Sequence, residues 1–197
     1  MNKEKLIEDM EELFLIIKDA YYAFDIWLMV SRDGRREYAE VLIQYSDFFE
    51  PVAKSALTLM GVSLYKIYET KDDRLSFNTI LKEVEKFGII DFSFKEKLEC
   101  KMKRAKLLWR KVKILRSCFL AHRSYNLTIR EICGMANITP NQIKRMIKLS
   151  VKIFNALWVK LGKAPKKTDE YTAMYTSRIL GILKRELPRN PGSGVAR

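Results

Sequence analysis

The chain has 197 residues, 48% hydrophobic and 11% aromatic, which is enough apolar material for a sizeable core and argues against disorder throughout. Lysine and arginine outnumber aspartate and glutamate 37 to 24, a formal net charge of +13; the excess points to nucleic acid, an acidic protein or an anionic surface without choosing among them. One histidine and three scattered cysteines, Cys100, Cys118 and Cys133, argue against a zinc site and fit a reducing, cytoplasmic setting.

The opening MNKEKLIEDMEEL is broken by acids before any apolar run long enough for a signal peptide. Residues 13–30 are strongly apolar but carry Lys18, Asp19 and Asp25, so they read as a core helix and not as a membrane span. Residues 3–31 form that first helix, with Leu6, Met10, Leu13, Ile17, Ala20, Phe24, Trp27 and Met29 on its apolar face. A turn at Ser31-Arg-Asp-Gly34 leads to a second helix over 36–49. Pro51 suits the first turn of a third, 51–69, whose face is Ala53, Ala56, Leu57, Met60, Leu64, Ile67 and Tyr68.

After the polar stretch Lys71–Ser76, Ser76 caps a helix over 77–87 that Gly88 ends. Residues 89–93 are a short apolar connection with no partner strand. The next helix, about 94–124, has no proline or glycine and places Leu108, Val112, Leu115, Phe119 and His122 on one side. Between Lys95 and Arg123 it carries eleven lysines and arginines against Glu96 and Glu99, a density that repels itself unless an anion lies along it. A short helix over 128–135 and a turn at Asn137–Pro140 follow. Thr139 caps the next helix, which has Pro140 first and runs to about 161 with Ile143, Ile147, Val151, Phe154, Leu157 and Leu161 inward. A last helix, 168–187, carries Tyr171, Met174, Tyr175, Ile179, Ile182 and Leu183 as its apolar face. The expectation is an all-α chain: one helical domain over 1–187 and a disordered tail over 188–197.

Several of these phrases, in this order, resemble the HEPN superfamily of helical ribonucleases and toxins, and more closely its abortive-infection branch. They are Ser63-Leu-Tyr-Lys-Ile-Tyr68, Leu75-Ser76, Arg116 followed by Ala121-His122-Arg123, and Thr139-Pro-Asn-Gln-Ile143 with Phe154-Asn-Ala-Leu157. Arg116 and His122 fit the superfamily's R-x(4–6)-H motif, and the similarity covers roughly residues 50–160. Ser117 stands where many members carry Asn or Asp and keeps a polar group there. The resemblance implies a compact antiparallel HEPN-like bundle, here with additional N- and C-terminal helices. It also implies metal-independent RNA cleavage without a cofactor, a homodimer with composite sites, and an antitoxin partner, in this family often a small nucleotidyltransferase.

The residues suit that chemistry. RNA carries its own nucleophile in the 2′-hydroxyl, so the protein need supply only proton transfer and charge stabilisation. His122 is the one side chain whose ordinary pKa lies near neutrality, and Arg116 offers a permanently charged planar fork to phosphate oxygens. Ser117 can orient either group. Lys103, Lys106, Arg110 and Lys113 face the RNA backbone, and Arg123 and Tyr125 a neighbouring phosphate or base. Six helical residues put Arg116 and His122 about 120° apart around the axis, bordering one groove without stacking. One histidine cannot be both separate acid and separate base, and a two-fold dimer supplies the second.

Blander readings compete. A lone histidine on an apolar helix face is usually a packed core residue, and Arg116 can serve as an ion-pair partner of Glu69 or Asp72. Trp109, Phe119 and Leu120 read as core. Residues 128–145 also have the cadence of a DNA-binding helix-turn-helix, with Cys133 buried, Asn137 at the turn and Asn141, Gln142, Lys144 and Arg145 facing the groove. A catalytically inactive HEPN-like interaction module is a further alternative.

Overall fold

The computed structural model describes residues 3–31, 36–71, 74–121, 129–168 and 171–187, and all the regular structure within them is helical. The elements are α1 (Lys3–Val30), a 3₁₀ turn (Arg36–Tyr38), α2 (Ala39–Gln44), α3 (Ser46–Ile67), α4 (Phe77–Lys86), α5 (Phe92–Ala121), α6 (Ile129–Ala136), α7 (Pro140–Lys160) and α8 (Tyr171–Glu186). The expected Gly34 turn and the tail over 188–197 lie outside the described residues.

α1, α3, α5 and α7 close into a four-helix ring, since α1 packs on α3 and α7, and α5 packs on the same two helices. Side-chain pairings give the directions. Phe14 meets Phe154 while Lys166, beyond α7, reaches back to Glu11, so α1 and α7 run antiparallel. Gly61 lies beside Leu115 and Tyr65 beside Trp109, so α3 and α5 do too. Lys111 bonds Gln142 and Lys160 lies over Phe94, which sets α5 against α7. The result is an up-down-up-down bundle. α1 is one of its four members, and its buried face from Leu6 to Val30 runs the length of the core.

The apolar faces expected on α1 and α3 are buried as read, and the Ser76 and Thr139 capping boxes both form, each with reciprocal side-chain-to-backbone bonds. The break between the second and third helices differs. It falls at Tyr45, and Pro51 lies inside α3. The face Phe49, Ala53, Leu57, Met60, Leu64 is continuous across Pro51, and the proline deprives only the carbonyl of Asp47, an exposed residue, of a helical donor. α5 begins at Phe92 with an unanticipated cap, the Asp91 carboxylate accepting from the Phe94 amide at 2.7 Å. α8 also differs. Tyr171, Met174, Tyr175, Ile179 and Ile182 face solvent, and Leu180 is the buried anchor against the body.

Tyr68, at the end of α3, is fully buried, and its hydroxyl lies 3.0 Å from Ser150 Oγ on α7. Ser150 donates to the Met146 carbonyl at 3.0 Å, so the one proton left for the pair is the tyrosine's, and Tyr68 donates. Burial pushes the Tyr68 hydroxyl well above its ordinary value of 10.0. A group whose folded pKa is raised stabilises fully below its unfolded pKa and loses that contribution as pH rises through the folded one. The protein is thus expected to lose stability above about pH 10, by on the order of 1 kcal/mol per pH unit from this residue. Tyr68→Phe should flatten that alkaline slope in urea titrations; an identical slope in the variant would place the loss elsewhere.

Candidate functional site

α5 brings two residues, seven apart in sequence, onto its α3-facing side. Trp109 donates its indole N–H to the Tyr65 carbonyl at 3.1 Å, and its ring stacks on Tyr65 at 5.5 Å between centroids and 22° between planes. The Arg116 guanidinium carbon lies 4.2 Å from the centre of the same Tyr65 ring. The tyrosine hydroxyl in turn donates to Glu69 Oε1 at 3.4 Å. Trp109, read as plain core, is half-buried and supports the aromatic platform on which Arg116 rests.

This arrangement orders the arginine without consuming it. A guanidinium over an aromatic ring is attracted through its face, and that contact contributes about 0.5–1 kcal/mol at a partly exposed site. Its N–H donors radiate in the plane and stay available for an anion. Among the described residues no carboxylate pairs with Arg116: Glu69, one of the two acids considered, binds Tyr65 instead. Asp72, the other, lies outside the described residues. So do His122, Arg123 and Tyr125, and the side chains of Phe119 and Leu120; Ala121 is the last described residue of α5.

The other predicted contacts fall on a different side of α5. Lys103, Arg110 and Ser117 recur at seven-residue steps and are exposed, as is Lys113, so they make one outward strip. Ser117 thus sits around the helix from Arg116, in line with the cations. Lys106 is half-buried, and with Lys103, Asn78, Leu81, Glu99 and Met102 it lines a cleft of about 230 Å³. Lys111 is drawn away from this strip, donating to the Asn137 carbonyl and to Gln142 Oε1.

α6, the turn and α7 have the outline of a helix-turn-helix. Asn137 takes the left-handed conformation at φ 46°, one that asparagine tolerates better than most residues. Asn141, Lys144 and Arg145 are exposed, while Gln142 is engaged: its Oε1 accepts from the Thr139 amide at 3.1 Å and from Lys111 at 3.3 Å. Farther along, Asn155 clasps the chain after α7, exchanging two bonds of 2.8 Å with the Lys166 backbone.

Several of the phrases picked out in the sequence thus meet in space or fasten the bundle. Tyr65 joins the 63–68 phrase to Arg116, Tyr68 joins it to α7, and Asn155 secures the α7 end. A family model described as AbiU2 (HEPN_AbiU2) matches residues 3–179. The chain belongs to the AbiU2 family. That places it in the abortive-infection branch of the HEPN superfamily. The AbiU2 match begins with α1 and ends in α8, well beyond the residues 50–160 legible from phrases alone, as expected if α1 is a bundle member. Neither a curated protein nor a solved structure matches the chain. Among the described residues, no helix of this AbiU2 protein is long and apolar enough to cross a membrane.

Two features escaped the sequence reading. Tyr65 lay inside a quoted phrase, but its role depends on how α3 pairs with α5, which no local pattern encodes. The basic outer face of α7 beyond Arg145, with Lys148 and Lys152, had a visible signal: no acidic residue occurs between Glu131 and Asp169.

Proposed function

We propose that this AbiU2-family protein is a metal-independent endoribonuclease of phage defence, with Arg116 and His122 as its catalytic residues. The observation that carries the reading is the placement of Arg116: half-buried, stacked on Tyr65, free of a described carboxylate, and in the last turns of the basic helix that leads to the chain's single histidine. In the reaction, the RNA 2′-oxygen attacks the adjacent phosphorus and the P–O5′ bond breaks. His122 takes the 2′ proton or delivers one to the departing 5′-oxygen, and Arg116 meets the negative charge building on the phosphoryl oxygens. Lys103, Lys106, Arg110 and Lys113 hold the backbone, with Arg123 and Tyr125 beyond them. A homodimer supplies the second histidine that separate acid and base steps require, and an antitoxin of nucleotidyltransferase type restrains the activity in the cytoplasm.

Purified protein given a labelled RNA in the presence of EDTA should yield fragments ending in a 2′,3′-cyclic phosphate and a 5′-hydroxyl, because the nucleophile is internal. Intact RNA at high enzyme concentration would instead make the chain an inactive interaction module. A second reading, sequence-specific binding of duplex DNA, is favoured by the helix-turn-helix outline of α6 and α7. The engagement of Gln142 in the Thr139 cap and with Lys111 weighs against it, since that side chain was to read bases.

A further inference from the structure

α7 is acid-free from Pro140 to Lys160, and the run without aspartate or glutamate extends over 132–168. Its inner face is spent on the core, with Ile143, Met146, Ile147, Ile153, Phe154 and Leu157 buried. Its outer face presents Lys144, Lys148 and Lys152 at four-residue steps, with Arg145 beside them, all exposed. These cations, with Asn141 and Leu149, line a cleft of about 340 Å³.

Several cations elsewhere are matched: Lys5 lies 3.0 Å from Asp9, Lys95 2.6 Å from Glu85 and Lys166 3.3 Å from Glu11. Among the described residues none of the four on α7 has a carboxylate partner. Like charges four apart on a helix destabilise it by a few tenths of a kcal/mol per pair, so this stripe is a standing cost to the fold. The antiparallel pairing of Lys111 with Gln142 and of Phe94 with Lys160 brings exposed Arg104 of α5 level with Leu149, extending the basic surface across the helix boundary.

We infer that the outer face of α7, around Lys144, Arg145, Lys148 and Lys152, is a second binding surface that tracks the phosphate backbone of single-stranded RNA. It is separate from the Lys103–Lys113 strip of α5, and its RNA partner rests on the ribonuclease reading of Arg116 and His122. Lysines four apart rise about 6 Å per step along the axis, a line of point charges suited to successive phosphates and without the bidentate geometry that reads bases. Duplex DNA suits it less. A helix with its side chains is 10–12 Å across and fills a major groove about 12 Å wide, but α7 is held against α5 and α1 along its length and offers only a stripe.

The test is binding of a fluorescein-labelled 2′-O-methyl RNA 20-mer, which lacks the attacking hydroxyl and stays intact, followed by anisotropy over a series of salt concentrations. Removing one lysine–phosphate pairing on a single strand should lower the salt slope by about 0.7. The full-length triple variant Lys144→Gln, Lys148→Gln, Lys152→Gln should therefore have a slope smaller by about 2 and bind at least about tenfold more weakly at low salt. Lys→Arg at the same positions should retain both. A triple Gln variant with the slope and affinity of the parent overturns the surface, as does a 20-bp DNA duplex that binds more tightly than the RNA through the same lysines. Cleavage of unmodified RNA separates this from the site reading. If the parent cleaves nothing yet the slope still depends on α7, the catalytic reading fails and the surface stands. If cleavage is normal and the slope ignores α7, the reverse holds.

Discussion

Replacing His122 with alanine is expected to lower RNA cleavage by on the order of 100-fold or more, because it removes the one side chain able to move a proton near neutral pH. Arg116→Ala should cost a similar factor by withdrawing a charge aimed at the phosphate in the transition state. The arginine adds little to the core, since its main described contact is the face of Tyr65. Both variants should therefore fold and assemble as the parent does, and the loss should appear in kcat. Gel-resolved single-turnover cleavage gives the factor directly. Parent-like rates in His122→Ala would make His122 a packed residue and leave the nuclease reading without an acid–base group.

The same two variants test the dimer. If each site takes Arg116 from one chain and His122 from the other, a mixed dimer of Arg116→Ala and His122→Ala has one site with both groups and one with neither. Where one histidine suffices for a site, coexpression should then recover up to about half of the parent activity per mixed dimer, by the mutual-contact logic of a two-fold interface. Within-chain pairing predicts no recovery at all, and so does a reaction that uses both histidines at once.

The sequence made the helices legible because their apolar periodicity is strong and their caps are chemically specific. Ser76 and Thr139 announce α4 and α7 through side chains that bond their own backbone three residues on. What stayed hidden depended on partners distant in sequence. Pro51 looks like a helix start, but one buried face running from Phe49 to Leu64 outweighs one missing backbone bond. The stripe on α8 reads as a buried face, yet burial needs an opposing surface, and α8 has one mainly at Leu180. Arg116 was legible as a candidate from its spacing to His122, whereas Tyr65 beneath it was not. A cation–π contact across two helices follows from register, and register is set by the whole core.

Phe154→Ala is expected to be the most destabilising single truncation on α7, at about 3–5 kcal/mol for loss of a buried phenylalanine. The ring is fully buried and is the middle of an aromatic run, 4.8 Å from Phe14 on α1 and 5.5 Å from Trp158 one turn on. Its removal leaves both neighbours without a stacking partner. The damage should spread to the α1–α7 seam, where Lys166 lies over both Phe14 and Trp158, 5.3 Å and 4.8 Å from their centroids, and reaches Glu11. For a chain of 150–250 residues about 2–4 °C of Tm accompanies each kcal/mol, so the midpoint should fall by roughly 10 °C. Val159→Ala, on the half-exposed outer side of the same helix, should move it by no more than about 1–2 °C, since surface changes stay within about 0.5 kcal/mol. Thermal unfolding followed by circular dichroism separates the two. Equal shifts for Phe154→Ala and Val159→Ala would mean that α7 does not present the face containing Phe154 to the core, and the four-helix ring would have to be redrawn.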